Sequence, residues 1–252
     1  MQLLDGERLE PLGDGFGVIV SPHHTFNTDS VLLSAWSMPA KGERCAELGT
    51  GCGIVSLLWC ARGKPAHVYA IEKQEEAAFQ AARSARYNGF SNLHVCVLDV
   101  RTIPFEKPKT LPVPLELDRV ACNPPYKPLG TGFPNPEEEK AAARHECACT
   151  FSEMAAAARR LLRWGGRFSC CLRPERLPEV LAVCEKMGLA PKRLRFVQHR
   201  LEKPPKLFLL ECRRGGKPGG LSVEPVLLLE DPPGTCSPEM RAIYGAYAEG
   251  HK

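Results

Sequence analysis

Two rhythms of apolar residues alternate along the chain. Short apolar runs of strand character occur at residues 44–48, 67–72 (HVYAIE), 93–99 (LHVCVLD) and 115–123 (LELDRVACN). Between and after them lie segments with apolar residues at helical spacing: 54–62 (IVSLLWCAR), 74–89 (QEEAAFQAARSARYNG) and 151–166 (FSEMAAAARRLLRWGG). Asn88-Gly89 closes the second of these, and a glycine pair closes the third. Thr150 and Glu153 have the spacing of a capping box at the start of the third. A fifth strand is expected at RFSCCLR, followed by a helix over 174–188 with proline in its first turn. A sixth strand follows at KRLRFVQHR and a seventh at 205–214 (PKLFLLECRR). The short proline-bearing turn joining the last two predicts an antiparallel hairpin.

Upstream, FGVIVSP reads as a short strand, and residues 29–36 (DSVLLSAW) read as a helix opening on Asp29, a capping type of residue. Residues 127–146 are polar and rich in Gly and Pro until EEEKAAARHE, which looks helical. After the flexible GGKPGG, the stretch LSVEPVLLLEDPPG suits a short edge strand or an ordered tail. The regular alternation predicts an α/β fold with a mostly parallel sheet and helices on both faces. We divide the chain into a lead-in over 1–40, a core over 41–214 and a tail over 215–252 that holds a short edge strand and a helix.

Composition changes this picture little. The chain has 252 residues, 44% hydrophobic and 25% charged, the profile of a folded domain. No apolar run approaches the roughly 18 residues that a membrane span needs, and the first ten residues lack a basic start before an apolar stretch. The twelve cysteines never form C-x-x-C, and Cys60, Cys96, Cys122, Cys171 and Cys184 sit in apolar runs. We therefore expect reduced thiols in a cytoplasmic protein and no metal site. The net charge of +4 is modest, but residues 186–217 hold ten Lys or Arg against Glu202 and Glu211. That excess marks a candidate phosphate-binding surface.

The chemistry concentrates at strand ends, where open α/β sheets bind their ligands. Glu47-Leu48-Gly49-Thr50-Gly51-Cys52-Gly53 follows the first core strand; Gly49, Gly51 and Gly53 permit a tight turn and close backbone approach. Glu72 ends the next strand, 19 residues after Gly53, placed to accept from ribose hydroxyls. Asp99 ends the third, placed to face an adenine amino group. Both acids also suit helix caps. A dinucleotide fingerprint wants its third glycine one residue later. Glu47 would repel a pyrophosphate and attract an ammonium, which favours S-adenosyl-L-methionine over NAD.

Asn123-Pro124-Pro125-Tyr126 ends the fourth strand. Two prolines stop a strand and hold the neighbouring backbone stiff. An exocyclic amine on a base or amide is a poor nucleophile, and two oxygens accepting from its N–H groups help it. Asn123 offers its side-chain oxygen and Pro124 its backbone carbonyl, while Tyr126 offers a ring for stacking.

ELGTGCG, IE, LDV and NPPY, in this order, resemble the class I S-adenosylmethionine-dependent amino-methyltransferases. FNTDSVLLSAW, ARHE (143–146) and PEMRAIYG resemble segments of the bacterial valine-tRNA adenine-37 N6-methyltransferase family. The resemblance spans residues 20–245. It implies a Rossmann-like seven-stranded sheet with the last strand antiparallel. It also implies a cofactor site of Gly49, Gly51, Gly53, Glu72 and Asp99, bordered by Asn123, with Val100 offering backbone to the adenine. Asn123 and Tyr126 would be the catalytic pair. Asp29 would either help close over the cofactor or only cap its helix, and His145 and Glu146 would touch RNA or only start a helix. The expected activity is methylation of an exocyclic amine, most readily N6 of adenine 37 in a valine tRNA. Arg159, Arg160, Lys192, Arg193, Arg195 and Arg200 are candidate tRNA contacts. No DNA or membrane partner is expected, and the protein should be a monomer or weak homodimer. The rivals are a protein-glutamine N5-methyltransferase, a DNA adenine methyltransferase, a non-catalytic RNA-binding protein with this fold, and an NAD-dependent oxidoreductase.

Overall fold

The computed structural model describes residues 2–104, 111–124 and 149–245. Pro125 and Tyr126, the helix expected near residue 140, and His145 and Glu146 lie outside the described residues.

Two strands open the chain. β1 (Arg8–Gly13) and β2 (Phe16–Val20) form an antiparallel hairpin apart from the main sheet. They are joined by Asp14-Gly15, both at positive φ (52° and 79°), the turn that matches strand twist. The sequence pattern points only to β2. β1 carries Pro11 and is half-exposed, so its apolar pattern is faint.

α1 (Thr28–Trp36) follows, and its N-cap is Asn27, whose side chain accepts from Ser30 N at 3.2 Å. This corrects the expected start at Asp29, which lies inside the first turn, where a carboxylate suits the helix dipole. The core then alternates: β3 (Arg44–Leu48), α2 (Ile54–Gly63), β4 (His67–Glu72), α3 (Glu75–Tyr87), β5 (Leu93–Val97), a 3₁₀ turn at Val100–Thr102 and β6 (Leu117–Cys122). α4 (Phe151–Leu161) opens with the expected capping box: Thr150 N donates to Glu153 at 2.8 Å, and Glu153 N to Thr150 Oγ1 at 3.3 Å. It stops five residues early, because Leu162 leaves the helix to pair with Leu117 as the first residue of β7 (Leu162–Leu172). Gly165, at φ 75°, lets the chain bulge before pairing resumes at Arg119 and Arg167. α5 (Leu177–Lys186), β8 (Leu189–Gln198), β9 (Pro205–Arg214), β10 (Ser222–Val223), β11 (Leu227–Leu228) and α6 (Pro238–Tyr244) complete the order.

The main sheet runs β10-β8-β9-β7-β6-β3-β4-β5, with β11 also on β8. β3 to β7 are mutually parallel, and β9 is antiparallel to both β7 and β8, as the hairpin reading expected. Two short strands, β10 and β11, extend it along β8. α1, α2 and α3 cover one face, and α4 and α5 the other, around fully buried Trp59, Phe168 and Phe208. At roughly 2 kcal/mol or more for each fully buried large apolar side chain, these two layers hold the strand ends rigid. Among the described residues no helix is long and apolar enough to cross a membrane.

Candidate active site

The reversal of strand order falls between β3 and β6, and the unusual loops meet there. Leu48 pairs with Cys122, so Gly49 and Asn123 leave the sheet side by side. Strand spacing puts their backbones about 5 Å apart.

The glycine loop is fastened at its rim and left bare at its crest. Gly49 N and Thr50 N both donate to Ile71 O, at 2.8 and 3.0 Å. Gly51 has φ 54° and nothing within 4 Å of where a Cβ would stand, so open space faces its backbone. Gly53, the N-cap of α2, has φ 89°, and a Cβ there would meet Ala81 Cβ at 3.1 Å. Only glycine combines that turn with that helix contact.

Glu47 is 3% exposed. Its Oε2 accepts from Thr50 Oγ1 (2.6 Å), Ser56 Oγ (2.6 Å) and Ser56 N (3.0 Å). Burial pushes its pKa up to about 7 despite these bonds. The carboxyl thus braces both ends of the loop.

Glu72 joins the loop to β4. Its Oε2 accepts from Gly51 N at 2.9 Å, and its Oε1 from Lys73 N and Gln74 N at 2.8 and 2.9 Å. Asp99 caps the 3₁₀ turn that begins at Val100, accepting from Arg101 N at 3.0 Å. The Arg101 guanidinium bonds both of its oxygens, and Lys73 Nζ lies 3.4 Å away. Arg101's hydrogen bonds, chiefly, hold the Asp99 carboxyl well below the usual carboxylate range. Lys73 therefore links the two acids at the ends of β4 and β5, and Val100 is buried beside them.

Asn123 is half-buried, and Pro124 is buried behind it. Its Nδ2 donates to Ser30 Oγ at 2.9 Å, and its Oδ1 accepts from Cys171 Sγ at 3.2 Å. The direction of this chain follows from the helix cap. Asn27 Oδ1 takes the Ser30 backbone N–H, so it is an acceptor, and Ser30 Oγ donates to it at 3.4 Å. The Ser30 lone pairs then face Asn123, which must present its NH₂ there and turn its oxygen the other way. Ser30, fixed by its helix cap, thus sets the amide orientation of a residue 93 positions downstream. Sequence reasoning missed Asn27, Ser30 and Cys171 in this role. The visible signal was the polar NTDS at the start of an otherwise apolar helix.

No family model matches the chain. It is 30% identical over 200 residues to the tRNA1(Val) (adenine(37)-N6)-methyltransferase of Photobacterium profundum, a match that covers 78% of each chain. The chain belongs to the tRNA1(Val) (adenine(37)-N6)-methyltransferase family. It is also 28% identical over 190 residues to the enzyme of that name from Pedobacter heparinus, covering 74% of this chain and 75% of the other. Among solved structures, it shares its fold with a predicted O-methyltransferase of Agrobacterium tumefaciens. That match has TM-score 0.68 and 21% identity, over 87% of this chain and 97% of the other. TYW2 of M. jannaschii, solved in complex with AdoMet, gives TM-score 0.55 at 15% identity, over 84% and 88%.

In this member of the tRNA1(Val) (adenine(37)-N6)-methyltransferase family, most basic residues picked out as RNA contacts are engaged within the chain. Lys192 Nζ donates to Lys217 O and Gly219 O at 2.7 and 2.5 Å. Arg193 pairs with Glu224 (2.7 Å) and Glu211 (3.6 Å) and lies 4.1 Å over the Trp36 ring. Arg195 makes a two-pronged bond to Glu239, and Arg200 pairs with Glu230 at 2.8 Å. Arg160 donates to Ile103 O at 2.5 Å. These groups fasten the tail and the 3₁₀ turn to the core. Arg159 stands apart, exposed in the last turn of α4.

Proposed function

We propose that the chain is an S-adenosyl-L-methionine-dependent methyltransferase that modifies N6 of adenine 37 in a valine tRNA, in the cytoplasm. Family membership supports the reaction, and the pairing of Leu48 with Cys122 carries the assignment of the site. It sets a cofactor-type loop and an amine-type loop side by side.

The residues present fit the cofactor. Open space lies over Gly51, and Glu72 and Asp99 stand at adjacent strand ends. Glu72 would accept from the ribose hydroxyls, Asp99 and the Val100 backbone would meet the adenine, and Gly49, Gly51 and Gly53 would pass beneath. When bound, S-adenosyl-L-methionine supplies an electrophilic methyl group on sulfonium.

The chain's own part is to present the amine. Asn123 Oδ1 accepts one N6–H of the flipped adenine, and the Pro124 carbonyl accepts the other. Both oxygens draw the lone pair out of the ring and aim it at the loop side. Tyr126, by the motif, would stack on the base. A loop base is already partly unstacked, so extruding it costs a few kcal/mol or less. The proton is lost after methyl transfer, so no strong base is required.

The test is to supply labelled S-adenosyl-L-methionine with unmodified valine tRNA, other tRNAs, DNA and protein, then digest the product. N6-methyladenosine from position 37 is expected; label in glutamine, in DNA or in none of these overturns the reading. Asn123→Ala should abolish turnover and leave cofactor affinity in calorimetry intact.

A further inference from the structure

The end of the sheet opposite the catalytic loop gathers arginines from two parts of the chain, two of them from the basic window 186–217. It is built from the last turn of α4, the bulged start of β7 and the end of β9. Arg163 donates to the Trp164 carbonyl, and Arg214 donates to Leu162 O with Arg159 close by. Arg167 and Arg213 stand directly opposite each other in the antiparallel ladder, and both are exposed. Like charges in that position repel. Neither of them, nor Arg159, has a carboxylate partner among the described residues. The acids nearby are Asp118, which takes Arg163 at 2.6 Å, Glu116, which faces Arg214, and Glu43 and Glu211, which both pair with Arg119 at 3.2 Å.

The local geometry forms a cradle. A Cβ placed on Gly165 would find Arg213 Nη2 and Nε at 3.4 and 3.6 Å and Arg163 Nη1 at 3.7 Å. Two guanidinium groups therefore flank the half-buried Gly165: that of Arg163 is held by Asp118 and by the Trp164 carbonyl, and that of Arg213 has no carboxylate partner among the described residues. Trp164 beside them is 73% exposed. A Cβ on Gly215 would fall 2.3, 2.4 and 2.5 Å from three atoms of its six-membered ring. The indole thus lies flat on the Gly215 backbone and turns its other face to solvent. Guanidinium forks suit phosphate oxygens, and a backed, open indole suits a base or ribose.

We propose that this end of the sheet binds the sugar-phosphate backbone of the substrate tRNA outside its anticodon loop, an inference that rests on the tRNA reading above. Arg167 is level with Arg119, four residues before Asn123 on β6. At about 3.3 Å per residue, that is roughly 13 Å from the reaction level. A few base pairs of an A-form RNA arm cover that distance. The arginines of β8, engaged with the tail, are left out of this surface.

The experiment compares the wild type with Arg167→Glu/Arg213→Glu, with the milder Arg167→Gln/Arg213→Gln, and with Trp164→Ala. Each is titrated by fluorescence anisotropy with a full-length valine tRNA transcript and with an isolated anticodon-loop oligonucleotide, at several salt concentrations. The glutamate pair should lower affinity for the transcript about tenfold or more at 0.15 M salt and flatten the log K against log salt slope by about two. The glutamine pair should flatten it similarly, and the loss should be confined to the full-length transcript. Melting temperature and S-adenosyl-L-methionine affinity, measured alongside, should match the wild type. Unchanged transcript affinity and slope in both pairs would overturn the surface while leaving the activity in place. A wild type that binds no tRNA, yet methylates protein or DNA, would remove both readings together.

Discussion

Ser30→Ala isolates the device that orients Asn123. The substitution removes one oxygen, which accepts from Asn123 Nδ2 at 2.9 Å and donates to Asn27 at 3.4 Å. The helix itself should not suffer, since Asn27 keeps its bond to the Ser30 backbone N–H, and alanine is the better helix former. Leaving a partly buried polar group without its partner costs about 1–3 kcal/mol. Asn123 is half-buried, so water recovers part of this, and we take about 1–2 kcal/mol as the lost bias toward the productive amide orientation. At 1.36 kcal/mol per factor of ten, kcat should fall about five- to thirtyfold. The KM for S-adenosyl-L-methionine should hold, because no cofactor-facing group changes. Ser30→Thr keeps a hydroxyl at the same place and should recover most of the rate. The assay is initial-rate transfer of labelled methyl to saturating tRNA. A Ser30→Ala protein that is folded and turns over within twofold of the wild type would refute the orienting role.

Glu47→Gln should change how stability depends on pH. Burial raises the native pKa of Glu47 to about 7, above the ordinary carboxyl value, so the native state holds this proton where the unfolded chain has released it. Stability contributed by the neutral form is complete below the ordinary value and is lost as pH climbs toward 7; the shift amounts to something on the order of 3 kcal/mol. Urea midpoints at pH 5 and pH 7.5 should show the wild type losing more than the glutamine variant over that interval, and parallel behaviour would count against the assignment. Gly53→Ala should destabilise by about 1–2 kcal/mol through its left-handed backbone alone, with the 3.1 Å approach to Ala81 adding to it. It should also weaken cofactor affinity in calorimetry, and an unperturbed variant would show that the loop tolerates a side chain there.

The core of the fold was legible because its strands are buried on both faces and its helices are not. VYAI in one segment and VAC in the other are continuous apolar runs, and the readings built on them became β4 and β6 within two residues. The capping box at Thr150 and Glu153 is a local device, and local devices survive in sequence. The hairpin of β1 and β2 was also signalled, by Asp14-Gly15, but Pro11 broke the pattern on one side of it. The end of α4 was misread because Leu162, fully buried, continues the helical spacing although its partner is Leu117 on a neighbouring strand. No rule based on a single segment separates those two uses of one leucine.

The basic surface shows why a charge count needs the tertiary structure. Residues 186–217 hold ten cations, and the acids that answer three of them, Glu224, Glu230 and Glu239, come later in the chain. Counting within the window found an excess that folding answers only in part: Arg193, Arg195 and Arg200 gain carboxylate partners, while Arg213 and Arg214 of the same window go to the cluster at the start of β7. At the start of β7, Arg167 looks ordinary in sequence and stands 46 positions from Arg213. The antiparallel register of β7 and β9 makes them immediate neighbours. Register governs the catalytic side in the same way. Gly49 and Asn123 are adjacent only because β3 pairs with β6, and Asn123 is oriented only because α1 reaches the end of that strand. Residue types and strand ends announce which chemistry a chain can perform. Strand order and register decide which of its groups are free to perform it.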